Sequence, residues 1–263
     1  MADRFLLYGG IILAMNKIVL SIIIFCLFLG AGAFFVFYKD ADKNVIKDPI
    51  PSTQIYQSPT LSPSQSLLPA INYILPSDIN LAVPFTIQAP NANWDEVHQE
   101  FCEEASVLMA ASYIKGWTIA TPEIADHKMF EIKAFEEQKF GYYKDTTAEE
   151  TAIILREFYG IEKVKVVYEP AVEDIKKALS EKKVVLAPAA GRQLGNPYFR
   201  QPGPLYHMLV IKGYTKEGNF ITNDPGTRRG ADYIYLPSIL MNAIHDWNGG
   251  DVEHGRKVVI IVG

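Results

Sequence analysis

Gln99-Glu100-Phe101-Cys102-Glu103-Glu104-Ala105-Ser106-Val107-Leu108-Met109-Ala110-Ala111-Ser112-Tyr113-Ile114 reads as the opening of a helix with a cysteine in its first turn. Val107, Leu108, Ala111 and Ile114 follow the spacing of a buried helical face, and Gly116 ends the pattern. Glu103 and Glu104 lie where acidic side chains favour the positive end of the peptide dipoles. That dipole also favours a thiolate over a thiol, so a cysteine placed there can become a nucleophile. The two glutamates oppose the effect, and a partner base has to supply most of the activation.

Downstream, Thr121-Pro122-Glu123 is a helix start with proline at the first helical position. Thr147-Ala148-Glu149-Glu150 is a capping box, followed by an apolar face of Ile153, Ile154, Leu155 and Phe158 and a stop at Gly160. The pattern then shifts to strands at residues 164–168, 184–187, 206–214, 220–222, 233–236 and 258–262, with short helices at 172–180 and 238–246. Residues 191–204, rich in Gly, Pro and Asn, form a loop that is a candidate lid. Helices first and an antiparallel sheet later predict an α+β fold, a helical part packed on an antiparallel sheet.

Upstream, Val83-Pro84-Phe85-Thr86-Ile87-Gln88 reads as a short edge strand, since proline donates nothing to a ladder. Residues 39–80 are rich in Pro, Ser, Thr and Gln and carry no helical or strand period, so they read as a linker. A flexible chain of that length reaches roughly 35 Å. Residues 18–38 are free of charge and bracketed by Lys17 and Lys39. As a helix they span roughly 30 Å, the thickness of a bilayer core. They predict one transmembrane helix or signal anchor, with 1–17 as its flank and 81–263 as the globular domain. The soluble domain is expected on the extracytoplasmic side, and secretion after cleavage near Ala31-Gly32-Ala33 is the alternative. Met15-Asn16-Lys17 reads as an alternative start.

The chain has 263 residues, is 49% hydrophobic and carries a formal net charge of −5. That supports a full-sized core and gives no basic footprint for nucleic-acid binding. Only Cys26 and Cys102 are present, and Cys26 falls in the apolar stretch. The domain therefore holds one thiol and no internal disulfide. Among five histidines, His98, His127, His245 and His254 read as ordinary surface or half-buried residues. His207 opens the apolar strand Met208-Leu209-Val210-Ile211, so a sheet positions its ring at an edge. Asp224 follows the return strand, where a carboxylate can orient an imidazole. A two-residue turn at Glu217-Gly218 would set Asp224 opposite Ile211, so a bulge, a longer loop or strong twist is required. Asn223-Asp224-Pro225-Gly226 also suits a plain turn.

Cys102 in FCEEASVLMA, His207 in YHMLVIKGY and Asp224 in NFITNDPG together resemble papain-fold cysteine peptidases. Within these the likeness is to the "like" branch of the bacteriocin-processing peptidases, and it covers residues 81–236. The resemblance implies a thiolate–imidazolium pair of Cys102 and His207, with Asp224 orienting the ring. It also implies a glutamine that donates to the oxyanion. Glu96 stands at the usual place, so Gln88 is the candidate and Gln99 the runner-up, with the Cys102 N–H as second donor. Glu103 replaces the small residue common in related peptidases.

The expected function is hydrolysis of a peptide or amide bond in a peptide-like substrate, on a membrane-tethered domain, without cofactor or metal. Cell-wall amide hydrolysis by the same residues is one alternative, and a non-catalytic peptide-binding module is the other. Oligomeric state is not encoded in any visible pattern.

Overall fold

The computed structural model describes residues 45–56 and 75–263. The stretches read as flank 1–17 and membrane helix 18–38 lie outside these residues. Among the described residues no helix is long and apolar enough to cross a membrane.

In chain order the elements are β1 (Ile79–Asn80), α1 (Cys102–Lys115), α2 (Pro122–Phe140), α3 (Ala148–Ile153), β2 (Val164–Tyr168), α4 (Val172–Ser180), β3 (Val184–Ala190), β4 (Tyr206–Tyr214), β5 (Phe220–Asn223), β6 (Tyr233–Tyr235), α5 (Pro237–Ala243) and β7 (Val258–Val262). Local chemistry places the helix ends where the sequence marks them. Gly116 takes the left-handed conformation at φ 67° and closes α1 by donating its N–H to Ser112 and Tyr113. The Thr121 hydroxyl accepts from Ile124 N–H ahead of Pro122. Thr147 and Glu150 form the reciprocal capping box of α3. That helix runs on as a wider π-turn over Ile154–Phe158.

Six strands form a continuous antiparallel sheet in the order β2-β7-β3-β4-β5-β6, and β1 pairs with the far end of β4. β4 is central. It pairs with β3 from Tyr206 to Ile211, and β1 takes over at Gly213 and Tyr214. α1 lies between this sheet and α2, and the Ser106 hydroxyl donates to Met208 O at 3.1 Å. Every residue of α1 from Cys102 to Tyr113 is buried. The single apolar face expected from the sequence is therefore too narrow: this helix is enclosed on all sides, its two glutamates included.

Two further expectations are corrected. Residues 83–88 are not a strand. Pro84 has no N–H, and the only ladder-like bond there runs from Gln88 N to Pro225 O at 3.0 Å. The entry strand is two residues at Ile79–Asn80, ahead of the boundary read at residue 81. Residues 46–56, read as linker, dock on the domain. Gln54 makes a parallel bridge to Leu81, and Asn80 Nδ2 donates to Pro51 O. Asp48 Oδ2 accepts from Thr215 and Asn219, each at 2.8 Å. One bridge and a few side-chain bonds leave no periodic trace, so composition alone could not reveal the docking.

Gly213 is the position where two backbones touch. A Cβ there would lie 2.1 Å from Ile79 O and 3.0 Å from Asn80 Cα. Gly213→Ala is expected to part β1 from β4 and to cost roughly 1–3 kcal/mol of stability, read as a lower urea midpoint at unchanged m-value.

Candidate active site

His207 and Asp224 meet because the β4–β5 hairpin is irregular twice. Its turn is a three-residue loop, closed by Thr215 N to Asn219 O at 2.9 Å, with Gly218 at φ 88°. A bulge between Ile211 and Gly213 then shifts the register again, so that Val210 faces Asn223. Continuing that register sets Asp224 across from Leu209, two residues from His207 on the same face. Diagonal neighbours of this kind lie within reach of long side chains. The His207 Nε2–Asp224 Oδ1 distance is 2.8 Å, with both side chains buried.

Asp224 is held from several directions. Oδ2 accepts from the Tyr235 hydroxyl at 2.7 Å and from Asn196 Nδ2 at 3.1 Å, and Oδ1 accepts from Gly226 N–H. Burial alone would raise its pKa. The charge of His207 and the bonds from His207, Tyr235 and Gly226 outweigh burial and hold it below the ordinary value. With Asp224 ionised, Nε2 carries a hydrogen and Nδ1 is the basic nitrogen of the ring. Asn196 and Phe199 come from the 191–204 loop. The Phe199 ring meets the imidazole edge-on at 5.2 Å between centroids, so this loop is packed into the site. Gly226 leaves room for both rings, since a Cβ there would lie 2.7 Å from Phe199 and 3.0 Å from His207.

Cys102 opens α1 and is buried. Its Sγ donates to Glu103 Oε2 at 2.9 Å, and the N–H of Met208, the residue after His207, points at the sulfur. Among the described residues no hydrogen bond joins the thiol to the imidazole. Burial pushes the thiol pKa well up, Glu103 and Glu104 add to the rise, and the Met208 N–H opposes it. α1 and β4 thus bring the sulfur beside the histidine strand, with the proton turned toward a carboxyl.

That carboxyl belongs to a buried acidic cluster that the sequence reading did not anticipate. Glu103 Oε1 accepts from Thr146 N–H at 3.0 Å, and Thr146 O accepts from the Tyr206 hydroxyl at 2.9 Å. Burial raises the Glu103 pKa to about 8, with Asp145 adding and the bonds from Cys102 and Thr146 opposing. Beside it, no N–H or O–H of another described residue reaches the carboxyl of Glu104 or of Glu136. The two face each other. Two like charges in one buried site cannot both ionise, so such a pair resists losing its protons. Burial pushes Glu136 up to about 9 and Glu104 well above its usual range.

The other sequence candidates are placed elsewhere. Gln88 Nε2 donates to His98 O and Gln99 O, both at 2.9 Å. These are its two hydrogens, so in this structure it ties down the turn before α1 and has none left for an oxyanion. Gln99 Nε2 is engaged by Trp94 O and Asp95 O, and Glu96 is exposed beside Lys144. The remaining donor is the Cys102 N–H, which has no partner within its own helix. His98 is buried, with its nitrogens 2.7 Å from Asp95 and from Asp126. Burial opposes its charge, but those two bonds outweigh it and raise the pKa. His127 and His254 are exposed, and His245 is buried against Gly255 O and Lys257. Among the described residues no group of three or more His, Cys, Asp or Glu is arranged to hold a metal ion.

Residues 80–249 match the Peptidase_C39 like family. The chain belongs to that family. No curated protein matches the C39-like chain. Among solved structures, one described as a C39-like peptidase from Bacillus anthracis is 15% identical, with a TM-score of 0.45, over 72% of this chain and 96% of that one. A fragment of prointerpain A from Prevotella intermedia is 14% identical, with a TM-score of 0.36, over 55% of this chain and 43% of that one. The C39-like match spans Cys102, His207 and Asp224 and stops short of β7.

Residues that missed notice in the sequence, Asn196, Phe199, Tyr235 and Glu136, carry no motif of their own and join the site only through the fold, and Tyr206 was read only as part of the His207 motif. The acidic cluster has a measurable consequence. Glu136 has a folded pKa raised from 4.5 to about 9. Its contribution to stability is therefore fully present below the unfolded value and lost as pH rises through about 9. Urea midpoints are expected to fall between pH 6 and pH 9, a window in which Asp224 stays ionised throughout. Glu136→Gln is expected to flatten that fall.

Proposed function

We propose that this protein is a thiol peptidase or amidase that uses Cys102, His207 and Asp224, on a domain tethered to a membrane through residues 18–38 and exposed on the extracytoplasmic side. The observation that carries the reading is the commitment of His207 Nε2 to a buried, well-bonded Asp224. It leaves Nδ1 as the basic nitrogen on the strand whose next N–H, that of Met208, lowers the pKa of the thiol against burial. The Cys102 thiol passes its proton to Nδ1 and attacks a peptide or amide carbonyl. Asp224 stabilises the imidazolium that forms. The carbonyl oxygen takes the negative charge at the N-terminus of α1, where the Cys102 N–H donates. The imidazolium then protonates the leaving amine, and water releases the acyl group by the same path. The charge-free run of residues 18–38 supports the tether.

A second reading is a non-catalytic peptide-binding module, favoured by the thiol's bond to Glu103 and its raised pKa. Alkylation of Cys102 by iodoacetamide, mapped by peptide mass, separates the two. Rapid alkylation that falls at least about tenfold in His207→Ala, with a smaller fall in Asp224→Asn, is the expected result. Slow alkylation indifferent to His207 would establish the binding module. Digestion of peptides against cell-wall fragments by the active protein then separates the two hydrolase substrates.

A further inference from the structure

The Cys102–Glu103 contact poses a problem that the triad alone does not solve. A reactive sulfur is an anion, and an ionised carboxylate at 2.9 Å would put a second negative charge against it in a buried site. The groups facing Glu103 from every packed element offer no relief. On α1 they are Cys102 and Glu104, and on α2 Glu136. On the loop before α3 they are Asp145 and the Thr146 N–H, and on β4 Tyr206. None is a cation. Lys144 acts on Asp145, outside the contact. The carboxyl is also fixed in orientation. Oε1 receives the Thr146 N–H, and Thr146 O is held in turn by Tyr206, so Oε1 is the carbonyl-like oxygen and Oε2 the one that can carry hydrogen.

We infer that Glu103 is a fourth catalytic residue of the site, acting as a neutral carboxylic acid whose Oε2–H donates to the Cys102 sulfur when the sulfur becomes a thiolate. The inference rests on the hydrolase reading above. The thiol proton moves to His207 Nδ1, the sulfur keeps the electron pair, and Glu103 keeps its own proton and turns it toward the sulfur. The pair then carries one negative charge. If Glu103 ionises, the same contact runs the other way, with Sγ–H donating to a carboxylate and the nucleophile held as a thiol. Its pKa of about 8 places the changeover at mildly alkaline pH.

The test is the pH profile of Cys102 alkylation by iodoacetamide in the full chain, for wild type, Glu103→Gln and Glu103→Ala. An ordinary thiol reacts faster as pH rises. The wild type is expected to level off or slow above about pH 8. Glu103→Gln, which keeps a neutral N–H donor in place, is expected to react within a few-fold of wild type at pH 7 and to lose the alkaline decline. Glu103→Ala is expected to be slower at every pH by about tenfold. A Gln variant that reacts tenfold faster than wild type at pH 7 would mean that Glu103 is an ionised suppressor and would overturn the inference. So would a wild-type rate that climbs through pH 9 with a profile shared by the Gln variant. Infrared spectra of the wild type serve if the variants do not fold. A protonated-carboxyl C=O band that shifts on alkylation of Cys102 supports the role, and an unshifted spectrum overturns it. His207→Ala separates the two levels: reactivity lost there but indifferent to Glu103 sinks this inference alone, and reactivity indifferent to His207 sinks the hydrolase reading with it.

Discussion

Enclosure of the first turn of α1 is the constraint on which the site depends. A helix packed between a sheet and a second helix can bury apolar residues on all sides, and here it takes Cys102, Glu103 and Glu104 into the interior with them. The sulfur, the carboxyls and the imidazole strand then converge in a buried place. Each polar group has to find a partner in the protein or give up its charge. The Thr146 N–H for Glu103, the Met208 N–H for the sulfur, and raised pKa values at Glu104 and Glu136 are the solutions this fold adopts.

The second determinant is a strand that does not run straight. β4 serves three partners in turn, and the bulge after Ile211 lets it do so. On one side it shifts β5 until Asp224 stands diagonal to His207. At the same place Gly213 admits β1, whose Ile79 O would collide with any side chain there. The hairpin that closes the sheet is thus also the part that aligns the imidazole and its aspartate, so an error of register would also part these two side chains.

Much of this was legible from residues alone, for identifiable reasons. Helix ends obey local rules, and Gly116, Pro122 and the Thr147–Glu150 box state them within a few positions. The apolar runs at β3, β4 and β7 are long enough to declare a sheet. What stayed hidden involves partners distant in sequence. The need for a bulge or longer loop was legible but its place after Ile211 has no marker, the two-residue strand β1 is too short to show alternation, and the docking of residues 46–56 depends on single bonds such as Asp48 to Thr215. In the site, Cys102, His207 and Asp224 stood out by type and setting. Glu103 was visible only as an anomaly, and Glu136 could not be connected to it until α2 was laid against α1. Gln88 was assigned to the oxyanion by likeness, whereas its amide braces the turn that delivers Cys102.

Burial that raises the pKa of Glu103, Glu104 and Glu136 also changes how the folded molecule behaves as a whole. The formal charge of −5 counts every carboxyl as ionised. Folding withdraws some of these from the count, so the native chain is less anionic at neutral pH than its composition states. It would migrate more slowly toward an anode and focus at a higher isoelectric point than its own denatured form. Electrophoresis across a urea gradient would therefore register folding as a step in charge as well as in size.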